Sequence, residues 1–207
     1  MLLAVVGILG ALVVGIVSPG PSFVLVARVA VALSRRDGLA AAVGMGLGGV
    51  IFAALALVGL IAVLAQVSWL YLGLKLAGGL YLLYLAVQIW RGATAPIVVG
   101  DGGAWMRGWQ RSFWLGLATQ LSNPKAAVVY ASVFAALLPP DPPAAMFVIL
   151  LPLIFVMETA WYAAVAAVFS AGRPRAAYLR AKAWIDRVAG AVMAALGVRL
   201  IVEAARA

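Results

Sequence analysis

The chain has 207 residues, 67% of them hydrophobic and 10% charged, where soluble domains carry roughly 45–50% and about 25%, so it cannot clothe a water-facing surface. Fifteen Lys and Arg against six Asp and Glu give a net charge of +9, yet no basic stripe interleaved with aromatics forms a nucleic-acid face. The lack of Cys and His excludes a thiol–disulfide carrier and His-dependent hydrolysis and removes the commonest metal ligand, so neither metal nor cofactor is expected.

Uncharged or nearly uncharged runs at 2–33, 39–65, 69–90, 112–138, 144–171 and 183–202 each reach the ~20 residues that a helix needs to cross the hydrocarbon layer at 1.5 Å per residue. The period-two alternation of a membrane barrel is absent. The expectation is an all-α integral membrane protein with six transmembrane helices. The first run is too long for a signal-peptide core, begins without a basic segment and shows no convincing cleavage site, so it is expected to stay in the mature protein.

Within that run, "GIVSPGPSFVLV" at 15–26 places helix breakers where a span would have its middle. Proline lacks a donor and clashes with the preceding turn, and in lipid the freed carbonyls are tolerated only against protein or a wet cavity. Further along, "GMGLGG" at 44–49 lets another backbone approach at Gly44 and Gly48; packing within the bundle is the first reading and a homodimer seam the second. Gly78 and Gly79 read the same way. Lys75 and Arg28 stand about six residues, roughly 9 Å, from the nearest loop, and Lys75 is expected to snorkel to its interface.

Residues 91–111 ("RGATAPIVVGDGGAWMRGWQR") form the one linker-like stretch and divide the chain into 1–90, a three-helix half, and 112–207, another. Three spans is an odd number, so the second half runs inverted, which makes a 3+3 inverted-topology repeat. Nine of the fifteen basic residues sit after spans one, three and five, whereas the turns at 66–68 and 139–143 hold none. By the positive-inside rule the linker is cytoplasmic and both termini are outside. The excess charge thus reports topology rather than an anionic partner.

Span four repeats the interruption of span one. "GLATQLSNPKAAVVY" at 116–130 places Pro124 inside the first helix of its half, as Pro19 and Pro21 are in theirs. Interrupted helices at matching positions point to a binding site. Pro favours the first helical position and Asn the cap, so Gly20-Pro21 and Asn123-Pro124 read as starts of half-helices with unpaired N–H groups and partial positive charge. Lys125 adds a full charge. The set Ser18, Pro19, Gly20, Pro21, Asn123, Pro124 and Lys125 would receive a substrate carboxylate.

These segments resemble a known family. "SPGPSFVLVARVAVALSRRDGLAAAVGMGLG" is similar to the first motif of the LysE/RhtB amino-acid exporters, and "LGLATQLSNPKAAVVYASVFAALLP" to their central Asn-Pro-Lys motif. "LKLAGGLYLLYLAVQIWRG", "ETAWYAAVAA" and "VAGAVMAALGVRL" resemble their third, fifth and sixth helices. The ending "LPPDPP" at 138–143 departs from the pattern. The resemblance implies an exporter of amino acids or close derivatives in the bacterial inner membrane, driven by proton motive force, surrounded by lipid and binding a small zwitterion.

Glu158 is the only acid deep in a span, and intramembrane ionisable groups default to function. It is the proton-coupling candidate or the receiver of the substrate ammonium; a permanent Glu158–Lys125 ion pair is the structural alternative. Tyr81, Tyr84, Tyr130, Trp161 and Tyr162 are candidates to line a cavity with hydroxyls or a cation-attracting face, against packing or interface anchoring; Tyr130 and Trp161 flank Lys125 and Glu158 within one or two turns and are added to the site. Asp186 is expected to pair with Lys182 or Arg187, without a role. Two other functional classes compete: an intramembrane enzyme built on Ser122 and Lys125, and a passive channel.

Overall fold

The structure, a computed structural model, describes residues 1–66, 68–95, 108–139 and 142–206. Most of the expected linker and the centres of the turns at 66–68 and 139–143 lie outside the described residues. The described chain is helical throughout, with no strand: α1 (Leu2–Val17), α2 (Pro21–Ala32), α3 (Arg35–Gln66), α4 (Ser68–Gly92), α5 (Trp109–Leu121), α6 (Pro124–Leu137), α7 (Ala144–Phe169) and α8 (Gly172–Ala205).

Two of the junctions follow from proline's effect on its predecessor. Pro Cδ pushes the preceding residue out of the helical region. Ser18, before Pro19, is extended at φ −68°, ψ 122°, and Gly20, before Pro21, is extended at φ −147°, ψ −170°. The chain therefore leaves the helix at Ser18 and re-enters it at Pro21, with α1 and α2 bent by 58°. Asn123, before Pro124, is likewise extended at φ −85°, ψ 105°. Pro152, by contrast, lies inside α7 and does not divide it. A single apolar predecessor yields to the helix; Pro-Gly-Pro and Asn-Pro do not.

Length and apolarity mark residues Arg35–Gly59 of α3, all of α7 and Leu179–Ala205 of α8 as able to cross a membrane, with the bent α1–α2 pair as a fourth. This is fewer than the six expected from the sequence. Part of the shortfall is a consequence of division, since α5 and α6, with 13 and 14 residues, each reach only about 20 Å of the ~30 Å required.

Helix α3 packs against both α5 and α7, and α4 lies along α8. Glycines set the closest approaches. A methyl group on Gly44 would collide with the backbone of Phe113 and Leu117 in α5, and one on Gly116 with the carbonyl of Ala41 in α3. Gly44 and Gly48 thus serve the α3–α5 contact within the chain. At the α4–α8 contact the approach is reciprocal: a methyl on Gly79 would stand 2.8 Å from the carbonyl oxygen of Gly197, and one on Gly197 2.7 Å from that of Gly79.

Ionic links tie helix ends together. Lys75, expected to reach towards its interface, has its Nζ 3.1 Å from Glu203 Oε2, an acid that α8 brings alongside α4 near its own C-terminal end. Asp186 takes Lys182 as its partner at 2.8 Å. At the start of α3, Ser34 caps the helix, Asp37 N donating to Ser34 Oγ at 3.1 Å and Ser34 Oγ donating in turn to the Asp37 carboxylate at 2.5 Å. The same carboxylate accepts from Gly108 N (3.2 Å) and Ser112 Oγ (3.1 Å), which anchors the start of α5 to α3.

The glycine contacts make a direct prediction. Gly116→Val forces backbone against backbone and should lower the melting temperature of the detergent-solubilised protein by several degrees, since overpacking costs about 1–3 kcal/mol. Gly10→Ala, at a position with nothing within 4 Å, should leave it unchanged. Size-exclusion profiles after graded heating measure both; equal melting of the two variants would contradict the packing role.

Candidate functional site

The site grows out of the two interruptions. In an unbroken helix the Ser18 carbonyl would accept from the amide of residue 22; with the chain turned aside at Pro19 it needs another donor. Lys125 supplies one, reaching from the first turn of α6 so that its Nζ donates to Ser18 O at 2.9 Å. The ammonium also meets the negative end of α1. The aliphatic stem passes Gly20, where a methyl group would stand 3.4 Å from Lys125 Cδ, so the glycine leaves a lane for the lysine.

Asn123 does two jobs. Its Oδ1 accepts from Lys125 N (3.0 Å) and Ala126 N (3.4 Å), capping α6, while its Nδ2 donates to Ser22 Oγ at 2.9 Å. The sequence reading offered the N–H groups of both half-helix starts to a carboxylate. At α6 those donors are already taken by the cap. At α2 the preceding residue is Gly20 and there is no side-chain cap, so only that start keeps donors for a ligand.

From Ser22 the polar contacts continue inward. Ser22 Oγ donates to Gln120 Oε1 at 2.6 Å, and Gln120 Nε2 donates to both oxygens of Glu158, at 3.2 and 3.1 Å. Tyr130 Oη donates to Glu158 Oε1 at 2.8 Å. Glu158 is 1% exposed and Tyr130 2%. Gly49 of α3 gives the pair its space, since a methyl there would stand 2.8 Å from Tyr130 Oη and 2.9 Å from the Glu158 carboxyl carbon. Glu158 and Lys125 form no salt bridge among the described residues: the acid is held by neutral donors and the lysine by a carbonyl, at opposite ends of the network. The permanent ion pair considered from the sequence does not form.

Two cavities meet at Lys125. The inner one is about 30 Å³, lined among others by Ser18, Gly20, Ser22, Lys125, Glu158 and Tyr162, which is room for water rather than for an amino acid. The outer one is about 450 Å³ and open, with Ser18, Pro19, Gly20, Pro21, Lys125 and Asp186 on its wall. Pro124 belongs to a separate depression beside Ser122. Ser122 and Lys125 therefore face different spaces, and the lysine's hydrogen bond goes to Ser18, an arrangement that does not build a Ser/Lys nucleophile pair.

Of the residues expected at the site, Ser18, Gly20, Asn123, Lys125, Tyr130 and Glu158 line the inner cavity and Pro19 and Pro21 the outer. Trp161 lines neither; it packs part-buried against the core, and its neighbour Tyr162 takes the cavity position. At 3.6 residues per turn Tyr162 lies about 40° round the helix from Glu158 and Trp161 about 60° to the other side, roughly 100° from Tyr162, so the two aromatics face different neighbours. Gln120, Ser22 and Gly49 were missed. Gln120 carried a signal, an amide in an apolar run one turn before Pro124; Ser22 and Gly49 carried none beyond their neighbourhoods.

Known proteins resemble this chain over most of its length. The chain is 35% identical over 200 residues to a threonine efflux protein of Salmonella typhimurium, covering 92% of this chain and 94% of that one. It is 34% identical over the same length and shares to the threonine efflux protein of Escherichia coli strain K12. A further Escherichia coli relative, the uncharacterized membrane protein YahN, is 28% identical over 194 residues, 94% of this chain and 87% of that one. No solved structure matches the chain. Residues 13–204 match the LysE type translocator family, and the chain belongs to that family of amino-acid exporters.

Proposed function

We propose that this protein is a secondary exporter of threonine or a closely related small amino acid, working by proton antiport across the bacterial inner membrane. The observation that carries the reading is convergence: the α1–α2 interruption, the α6 start, Lys125 and Glu158 all border one buried cavity. The substrate class comes from the threonine efflux relatives. In this reading α1–α2 and α5–α6 are each one interrupted span, and with α3, α4, α7 and α8 they make six crossings in a 3+3 inverted repeat. Contacts of α3 with α7 and of α4 with α8 support it, because a two-fold axis in the membrane plane brings equivalent helices of the two halves together. The basic ends of the helices face the cytoplasm and both termini lie outside.

The division of labour follows from the contacts. Lys125, with three donors and one recorded acceptor, keeps donors for a carboxylate beside the uncapped start of α2. Glu158 exchanges the coupled proton. Every recorded partner of its carboxyl is a donor, so adding a proton there displaces one of them, and the displacement passes through Gln120 and Ser22 to Asn123 at the other interruption. A coupled antiporter needs such a link between proton site and substrate site.

Counterflow in proteoliposomes tests the substrate: vesicles loaded with unlabelled L-threonine should accumulate labelled L-threonine well above protein-free vesicles. Accumulation of other amino acids but not threonine would reassign the substrate, and none at all would overturn the transporter reading. Glu158→Gln should abolish accumulation driven by a pH gradient while counterflow persists within about threefold, a split in which binding survives and coupling does not. A variant that matches the native protein at every pH would remove Glu158 from the proton path. Lys125→Met should weaken apparent threonine affinity by roughly tenfold or more, the value of a charge-assisted hydrogen bond; unchanged affinity would assign Lys125 to the Ser18 carbonyl alone.

A further inference from the structure

The outer cavity has a second charged wall that the proposed mechanism does not use. Lys182 Nζ spends its hydrogens on Asp186 Oδ2 (2.8 Å), Gly92 O (2.8 Å) and Ala93 O (3.2 Å), and an ammonium has three to give. It has nothing left for the other oxygen of Asp186. Among the described residues that oxygen, Oδ1, is buried without a hydrogen-bond partner, on a side chain that is 5% exposed and belongs to the cavity wall. A buried carboxylate oxygen left bare is destabilising, so the position favours a donor.

The charges around the cavity define that donor. Lys182 and Asp186 neutralise one another, which among the described residues leaves Lys125 as the cation facing the same space. A simple cation would be repelled by Lys125 and a simple anion would leave Asp186 unserved. A zwitterion answers both. Val24, Leu85 and Ile89 supply an apolar wall, and about 450 Å³ falls within the ~300–1,000 Å³ range of small-molecule sites.

We propose that this cavity is an outer substrate site in which Asp186 accepts the ammonium of an α-amino acid while Lys125 receives its carboxylate, so that the substrate is recognised before it enters the narrow inner cavity. The proposal rests on the exporter reading and adds a residue and a location to it. It makes Asp186 a specificity determinant for the amine, and it makes the Lys182–Asp186 pair more than a structural link between α8 and the end of α4.

The chain has no cysteine, so Gln88→Cys places a single thiol on the cavity wall. L-Threonine should slow alkylation of that thiol, and 2,3-dihydroxybutanoate, which carries a hydroxyl in place of the amine, should need roughly tenfold higher concentration or more for the same protection, as expected for a charge-assisted hydrogen bond. Adding Asp186→Asn should bring the two ligands to within about threefold of one another. Equal protection by both ligands with Asp186 present, absence of protection by saturating threonine, or retention of the preference in the Asp186→Asn protein would each overturn the proposal. Should Asp186→Asn fail to fold, the Gln88→Cys protein alone decides by its two-ligand comparison. Counterflow by the same Gln88→Cys protein keeps the levels apart: threonine counterflow without protection removes the outer site only, whereas loss of counterflow for every amino acid, with the native chain equally inactive, removes the exporter reading.

Discussion

A peptide carbonyl inside hydrocarbon has no water to bond, and the hydrogen bond from Lys125 to the Ser18 carbonyl answers that constraint with a charge from the other half of the chain. The rest of the arrangement depends on this bond. It fixes how far α6 stands from the end of α1, which brings Asn123 into range of Ser22 and Tyr130 into range of Glu158. It also makes the lysine tolerable: an ammonium at this depth, expensive on its own, meets a carbonyl and a negative helix end. The lysine and the interruption each remove the other's cost.

The two interruptions are chemically unequal although both begin at Pro. Asn123 closes α6 with its own side chain, a self-sufficient start that holds its shape without a ligand. Gly20 has no side chain to offer, and α2 begins with its donors uncommitted. A receptive site needs one of each, a rigid partner and an unsatisfied one. The hydrogen-bonded series from Asn123 through Ser22 and Gln120 to Glu158 then joins four helices through buried polar groups that are almost fully satisfied, the condition under which such networks specify one arrangement rather than several.

The sequence was legible where a single residue type has one physical consequence. Pro-Gly-Pro and Asn-Pro announced the interruptions because pre-proline residues resist the helix, and Glu158 and Lys125 announced themselves by rarity. Pairings were less legible. The acid beside Lys75, Glu203, lies 128 residues away and was not foreseen, and the Glu158–Lys125 pair was weighed on depth alone, whereas lateral position sent each to a different partner. Trp161 against Tyr162 was a matter of helix phase, which one residue's spacing decides. Gly49 was hidden among four glycines in "GMGLGG", three of which face other surfaces; only the packed structure shows which of them makes room for the buried acid.

Cavity sizes then say what the conformation is suited to. An inner space of about 30 Å³ beside an outer one of about 450 Å³ is narrow at the centre and open on the side of Asp186 and Lys182. A continuous pore would require both to be open at once, and alternating access requires that they are not. The groups separating the two spaces are Ser18, Gly20 and Lys125, which border both. Their hold on one another is the Lys125–Ser18 hydrogen bond itself, so a carboxylate that competes for the ammonium acts on the contact that keeps the spaces apart. In the proposed exporter, ligand recognition and opening of the inner cavity then draw on the same donor, which is how differential affinity for two states turns into movement.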